Sequence, residues 1–273
     1  MKTFYSAFHD VIFVDTTFSK NRFNMVMLDI VGVDQYGHNV LFGFALLNDS
    51  KEATFVWAFE HFQRIMEKSP KVVFSDQEQA LVNSLHKVFP FARKFLCGWH
   101  IARNLDTYYR SKKGLTTEEL AILRNLPFET DTGKFNEKVE NLKLNEEIKN
   151  TKEYFERIIS KSKQYAVCFI KDTFTSGINT TSRIESIHSQ LSSSLTSCSS
   201  LQKVYDAFKD IERVEADKFE DELKIVKNPI PENPMLLNLS QTYSSYAIKK
   251  FIPNLNLVSS YKVDPSIDEI DNW

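Results

Sequence analysis

The sequence lacks any long apolar run, and none of its runs approaches the ~18 residues that a membrane-spanning helix needs. Its N-terminus also lacks the pattern of a signal peptide. The cysteines, Cys97, Cys168 and Cys198, are odd in number and lie far apart. This spacing favours a reducing intracellular compartment over a disulfide scaffold. The absences therefore argue against a membrane protein and against a disulfide-stapled secreted domain.

A strong charge of either sign is missing as well, since the formal net charge is −2. A protein that bound nucleic acid through bulk positive charge would be more basic, so contacts with phosphates must come from local patches. Apolar residues, in contrast, are plentiful: 42% of the chain is hydrophobic and 22 residues are Phe. The 273 residues can therefore hold one buried core with an insertion.

The first part of the chain has the pattern of an α/β fold. Val11–Val14 is a short buried strand, and two β-rich segments, Phe23–Val33 and Asn39–Leu47, flank a turn at residues 34–38. These short connections predict three antiparallel strands. Residues 48–97 then alternate between helix and strand. A β-meander followed by alternating helices and parallel strands is the RNase H-like order, so we expect a mixed sheet flanked by helices with strand order 3-2-1-4-5.

After the predicted sheet the sequence pattern becomes helical. From about residue 101 to 179 the strand patterns vanish, and Thr116 begins one helix with a capping box to Glu119. We expect this segment to be an all-helical insertion before the last core helix. The core would then span residues 1–215 and a C-terminal extension residues 216–273.

Three acids stand where a two-metal site would need them. Asp15 ends the first apolar strand, Asp76 follows the apolar run of residues 71–75, and Glu185 lies in a helix-like stretch far downstream. Carboxylates at the ends of neighbouring strands can bind Mg or Mn, which prefer hard oxygen ligands. The order Asp, Asp, Glu suggests a nuclease or a transposase.

Each acid also has an ordinary structural interpretation. Asp15 can be a plain strand-end acid. Asp76 lies in the capping-box pattern of residues 75–78 and can serve only to begin a helix. Glu185 lies in a similar pattern at residues 182–185. The catalytic interpretation is stronger than these alternatives only because Asp15 and Asp76 are expected at the ends of two strands that lie side by side.

Several ordered segments resemble one known family. They look like the MULE transposase domain, the catalytic domain of Mutator-like element transposases and of their domesticated plant relatives in the far-red-impaired-response family. The resemblance covers roughly residues 10 to 215. The segments that carry it are residues 14–18 (VDTTF), 55–59 (FVWAF), 75–81 (SDQEQAL), 88–90 (VFP), 97–104 (CGWH to Asn104) and 180–186 (TTSRIES).

The resemblance implies an RNase H-like fold, DDE-type chemistry on DNA, and catalytic roles for Asp15, Asp76 and Glu185. It implies Mg or Mn in a two-metal site, transposon ends and target DNA as partners, a nuclear location, and a homo-oligomer in a transposition complex. The enzyme would be a metal-dependent transposase. The alternative is a domesticated, non-catalytic DNA-binding or transcription-regulatory protein derived from such a transposase.

Two departures from the family pattern favour that alternative. Such transposases usually carry an N-terminal zinc-finger domain, whereas this sequence begins almost at the first catalytic strand. They also commonly end in a Cys-x-Cys and Cys-x-His zinc motif, and no cysteine follows Cys198. We therefore expect a catalytic module, a truncated element copy or a domesticated remnant.

Cys97 and His100 have the spacing of half a zinc site, and the resemblance places them near the active site. No second Cys/His pair is evident, so a buried strand-end thiol beside a helix-starting histidine is the simpler interpretation.

A local excess of positive charge lies between residues 91 and 113, with aromatic residues interleaved. It can follow a DNA backbone, or it can be a solvated helix face above core aromatics. The candidate DNA contacts are Arg93, Lys94, Arg103, Arg110, Lys112 and Lys113.

Overall fold

The computed structural model describes residues 1–175, 187, 189, 191 and 193–224 of the chain. The strands are β1 (Val11–Thr17), β2 (Val26–Val33), β3 (Asn39–Leu47), β4 (Val72–Ser75) and β5 (Arg93–Leu96). The helices of these residues are α1 (Lys2–Phe8), α2 (Glu52–Met66), α3 (Gln79–Val88), α4 (Gly98–Lys112), α5 (Thr117–Asn125), α6 (Thr132–Lys143), α7 (Glu146–Asn150), α8 (Lys152–Ile159), α9 (Val167–Ile170) and α10 (Leu201–Lys224).

The strands form one mixed sheet in the order β3-β2-β1-β4-β5. β1 pairs antiparallel with β2, and β2 pairs antiparallel with β3. On the other side, β1 pairs parallel with β4, and β4 pairs parallel with β5. The predicted mixed sheet and its strand order are therefore confirmed.

Both faces of the sheet are buried, and β1 shows how its side chains divide between them. Ile12 and Val14 join the core that includes residues of α1, α2 and α3. Val11 and Phe13 point to the opposite face, where they join the core that includes Phe208 of α10. Asp15 continues the second set, because successive strand residues point to alternate faces.

Helices dominate the chain after β5. Residues 101–175 contain α5 to α9 and most of α4, and their apolar side chains form a separate core cluster that Leu96 of β5 joins. Thr116 caps α5 in the predicted capping box with Glu119. No strand occurs in this described range. The division into core, insertion and C-terminal extension stays a prediction.

The chain divides into two compact units. The first comprises residues 1–34 and 39–217, and the second comprises residues 35–38 with, in the described part, 218–224. Within the second unit the rings of Tyr36 and Phe219 pack edge to face, with centroids 5.5 Å apart.

Helix α1 is an element that the sequence patterns did not predict. It has seven residues, and its Tyr5 side chain is fully buried. The Tyr5 ring packs edge to face on Phe42 and on Phe62, with centroids 5.0 Å apart in both pairs, and its hydroxyl donates to the Lys68 carbonyl. Such a short helix depends on these tertiary contacts, which no local pattern reveals.

One predicted element boundary was wrong for a local reason. β2 begins at Val26 and not at Phe23, because the Asn21 carboxamide bonds the backbone of Phe23 and Met25 and holds a loop there.

The apolar side of α10 packs on the sheet, and one aromatic residue beside it stays exposed. Val204 and Phe208 are fully buried, and Phe208 stacks on Phe44 with ring centroids 3.8 Å apart. Tyr205 keeps 47% of its surface exposed. It lies next to the apolar side on the helix surface, so its ring only reaches Phe44 from the side.

Gly32 of β2 makes room for an aromatic ring. A Cβ atom at this position would lie 1.9 Å from Cε2 of Phe42, which is fully buried and cannot swing out. We expect Gly32→Ala to destabilise the protein by about 1–3 kcal/mol through overpacking. Gly43→Ala is the matched control, since its Cβ would lie 3.3 Å from the Phe62 ring. Denaturant unfolding of both variants tests this, and an equal loss of stability would contradict the packing argument.

Candidate functional site

Asp15 and Asp76 lie at the same edge of the sheet. The parallel pairing aligns Val11 with Val72 and Phe13 with Phe74. When this register is continued by two residues, Asp15 is aligned with Asp76, which directly follows the carboxyl end of β4. Asp15 is only 5% exposed, so its carboxyl group is shielded from water.

A cavity of about 580 Å³ opens at this edge. It contains both predicted strand-end acids, together with one residue of the predicted Cys/His pair and one of the predicted basic residues. It also contains residues that the sequence did not single out as a site. Its lining consists of Asp15, Thr16, Phe18, Asp76, Glu78, Trp99, His100 and Arg103.

Asp76 has a second, structural contact. Its Oδ1 accepts a hydrogen bond from the Glu78 backbone N–H at 2.9 Å, just before α3 begins. The Ser75 hydroxyl donates to the Asp76 carbonyl, and the Glu78 cap has no side-chain hydrogen bond, so the predicted capping box between Ser75 and Glu78 is wrong. Asp76 therefore both helps to start α3 and lines the cavity.

Asp29 is an acid of this region that the sequence analysis missed. It is the Cα partner of Asp15 across the antiparallel β1–β2 pair, and it is fully buried. Side chains directly opposite each other in such a pair share one face, with Cβ atoms about 4.5–5.5 Å apart. The available signal was an aspartate inside the apolar strand Val26–Val33, where a buried charge is rare unless it has partners.

Cys97 and His100 have different roles in the structure. Cys97 is fully buried and caps α4, since its Sγ accepts a hydrogen bond from the His100 backbone N–H at 3.4 Å. The His100 ring lines the cavity, and its Nε2 lies 3.9 Å from Oδ2 of Asp15. Within the described ranges, no three His, Cys, Asp or Glu side chains form a group that could hold a metal ion.

The pKa of Glu78 is shifted by its surroundings in this cavity. Burial, and secondly the charge of Asp76, raise the pKa of Glu78, while a hydrogen bond with Ser50 opposes the rise. Carboxylates in one cavity repel one another, so a bound cation would relieve this repulsion.

Four of the basic residues predicted as DNA contacts lie on α4 or at its end, and the other two lie in β5. Arg103 lines the cavity, and its guanidinium lies 5.1 Å from the ring centroid of Trp99. The others on or at the end of α4 lie further along: Arg110 makes two bonds to the Asp106 carboxylate, and Lys112 lies over Tyr108.

Arg93 and Lys94 lie elsewhere. They begin β5, so they lie at the amino end of a strand whose carboxyl end approaches the cavity. Arg93 donates to the Thr173 hydroxyl, and the Lys94 ammonium donates to the Phe89 carbonyl. Burial lowers the pKa of Lys94. Lys113 caps the far end of α4.

Comparison with known proteins agrees with this geometry. Residues 11–104 match the MULE transposase domain. The match contains all five strands and the start of α4, and with them Asp15, Asp76, Cys97 and His100. The resemblance identified from the sequence motifs is thereby confirmed. Glu185 lies beyond the matched MULE segment and outside the described residues.

Curated relatives come from Arabidopsis thaliana. Protein FAR1-RELATED SEQUENCE 5 is 25% identical over 289 aligned positions, which cover 98% of this chain and 34% of that protein. Protein FAR-RED IMPAIRED RESPONSE 1 is 25% identical over 68% of this chain and 22% of its own length. Protein FAR1-RELATED SEQUENCE 4 is 32% identical over 37% of this chain and 15% of its own length. The chain thus spans about a third or less of these relatives.

Among the described residues, no helix is long and apolar enough to cross a bilayer.

The raised pKa of Glu78 predicts a pH-dependent effect on stability. The pKa of Glu78 is higher in the folded protein than in the unfolded chain, so Glu78 favours folding at pH values below its ordinary pKa. This contribution is lost as the pH rises through the raised pKa. We expect Glu78→Gln to melt at a higher temperature than wild type at about pH 7, and to lose this advantage at about pH 4. Thermal melts measure both, with Glu60→Gln on the exposed side of α2 as control. A gain that does not depend on pH would contradict the electrostatic cause.

Proposed function

We propose that this chain is a DNA-binding, transcription-regulatory protein built on a Mutator-like transposase domain and without cleavage activity of its own. The observation that supports this most is the similarity to FAR1-related proteins. One of them aligns with 98% of the chain, and their names refer to a far-red response and not to transposition. DNA and a nuclear location are parts of this proposal.

The RNase H-like fold belongs to the same proposal. Its support is the antiparallel meander β1–β3 followed by two parallel strands, with β1 at the centre of the sheet. In this arrangement the carboxyl ends of β1 and β4 meet at one edge, and a DNA strand can approach that edge from solvent.

The DNA contacts of this proposal lie along α4. Arg103 lies in the cavity, and Lys112 follows nine residues later, about 14 Å along the helix axis. Because the whole chain is slightly acidic, this local stripe would supply the attraction to phosphates. Arg93 and Lys94 are less suited, since their side chains already bond Thr173 and the Phe89 carbonyl.

A second candidate function is metal-dependent DNA cleavage and strand transfer of the DDE type. The observation that favours it is the pair of carboxylates, Asp15 and Asp76, in one cavity. Their hard oxygen atoms fit the ligand preference of Mg or Mn, and Glu185 would be the third ligand. Such ions, when bound, activate a water or a 3′-hydroxyl and stabilise the leaving oxygen.

In that second function the protein residues have separate tasks. Asp15 and Asp76 hold the charge that binds the ions, and their fixed strands keep the two carboxylates in place. His100 lies beside Asp15 and can orient it. The zinc ion at Cys97 and His100 and the homo-oligomer stay predictions.

DNA binding is tested by the salt dependence of affinity. We expect Arg103→Ala to weaken binding of duplexes of unrelated sequence to a similar degree and to reduce the slope of log K against log salt by about 1. Fluorescence anisotropy over a salt series measures this. Arg213→Ala, which removes an exposed arginine of α10 paired with Asp210, is the matched control. An unchanged slope in Arg103→Ala would remove Arg103 from the DNA surface.

Cleavage separates the two candidate functions. We expect the wild-type protein to bind DNA and to leave it intact with Mn. If wild type nicks DNA, and Asp15→Asn, Asp76→Asn and Glu185→Gln each abolish nicking while Glu60→Gln does not, the catalytic function replaces the regulatory one. Asn and Gln keep the side-chain size and remove the charged ligand. Gel analysis of a supercoiled plasmid gives the result.

A further inference from the structure

Two of the residues that line the cavity, Phe18 and Trp99, are aromatic, and together they are called the aromatic wall. Phe18 follows β1 directly and keeps 50% of its surface exposed although it is fully apolar. Trp99 lies in the first turn of α4 and is half-buried. Both side chains line the cavity beside Asp15 and Asp76. Phe18 belongs to neither core cluster of the sheet, and half of its surface stays exposed.

Trp99 is held in a defined orientation by its neighbours on α4. The Arg103 guanidinium, four residues later, lies 5.1 Å from the indole centroid. The His100 ring packs edge to face on the indole, with centroids 5.0 Å apart. A planar cation above an indole is a favourable stack, and it fixes both side chains before any ligand binds. The cavity therefore presents a preformed stacking surface.

The polar residues of the cavity restrict its ligand further. Asp15, Asp76 and Glu78 give it more negative than positive charge, since Arg103 is its single Arg or Lys. Around these three carboxylates a phosphate group would be repelled unless cations were bound, so contacts with phosphates are left to Arg103 and to the rest of α4. A planar group that is neutral overall, with N–H donors at its edge and a π face, suits both the carboxylates and the aromatic wall. The volume of about 580 Å³ lies in the range of small-ligand pockets.

We infer that this cavity receives one unpaired nucleobase of the bound DNA, stacked on Trp99 and Phe18. The inference rests on the DNA binding of the proposed function and does not require cleavage. In a duplex the bases are stacked on each other, so the base must come from a single-stranded end or be turned out of the helix. Aromatic stacking accepts any of the four bases, because each has a π face.

The test compares two DNAs that differ only in one base. Each is a duplex with a short single-stranded 3′ end, and in one of them the first unpaired nucleotide is abasic, which keeps the phosphates and removes the base. Affinities are measured by fluorescence anisotropy with Ca²⁺ present. For wild type we expect about tenfold weaker binding of the abasic DNA, the effect typical of losing one stacked base. A second pair with the nucleotide bulged inside a duplex distinguishes a turned-out base from an open end.

Variants assign the effect to the aromatic wall. Trp99→Ala and Phe18→Ala should each bring the ratio of the two affinities to less than about twofold, because the base then loses its stacking partner. Trp99→Tyr keeps an aromatic face and should restore most of the ratio, which excludes misfolding as the cause. Phe91→Ala is the matched control, since Phe91 is 99% exposed and does not line the cavity.

The outcomes separate this inference from the proposed function. A wild-type ratio near one, or an equal ratio in wild type and Trp99→Ala, would overturn the base pocket even if the protein binds DNA. Loss of the ratio in Trp99→Ala and Phe18→Ala supports it, whether or not wild type nicks DNA. Nicking by wild type overturns the regulatory proposal alone.

Discussion

The parallel pairing of β1 with β4 is the constraint on which the rest of the site depends. The stacked rings of Phe13 and Phe74, with centroids 5.1 Å apart, fix this pair inside the core. A slip of one residue would turn Asp15 to the opposite face of the sheet, so the buried pattern of β1 also fixes the direction of its carboxylate. The same pairing carries Asp76 to the sheet edge and then into the start of α3. Packing and site geometry thus share one cause.

The turn into α4 completes the cavity. The Cys97 backbone N–H bonds the Ser75 carbonyl, and the Cys97 thiol accepts from the His100 backbone, so the chain leaves β5 beside the carboxyl end of β4. Helical spacing then places Trp99, His100 and Arg103 toward the acids. The buried Cys97 thiol serves local structure, and three of the residues after it line the cavity. This part of the segment that matches the MULE domain therefore combines a structural residue with cavity-lining ones.

The acids and the relatives indicate different functions, and the fold is compatible with both. Asp15 and Asp76 line one cavity, and like charges that are confined together cost stability. One relative is named for a far-red response, and one fold can carry different functions. The proposed DNA binding would depend on the basic and aromatic residues of α4, whereas cleavage would depend on the carboxylates. The two functions can therefore be lost or kept separately.

The sequence by itself determined the sheet order, the core helices and the acids at two strand ends, because strand and helix periodicities are local and Asp15 and Asp76 directly follow such patterns. Tertiary structure alone decided which residues join them. Asp29 reaches Asp15 only through the antiparallel register, and Phe18 and Trp99 meet at the cavity from separate elements. Arg93 and Arg103 are close in sequence, yet β5 and the turn after it separate them, since an extended strand adds about 3.3 Å per residue. Contacts between such distant side chains depend on the exact register of the strands and on the path of the chain between elements, which no local pattern encodes.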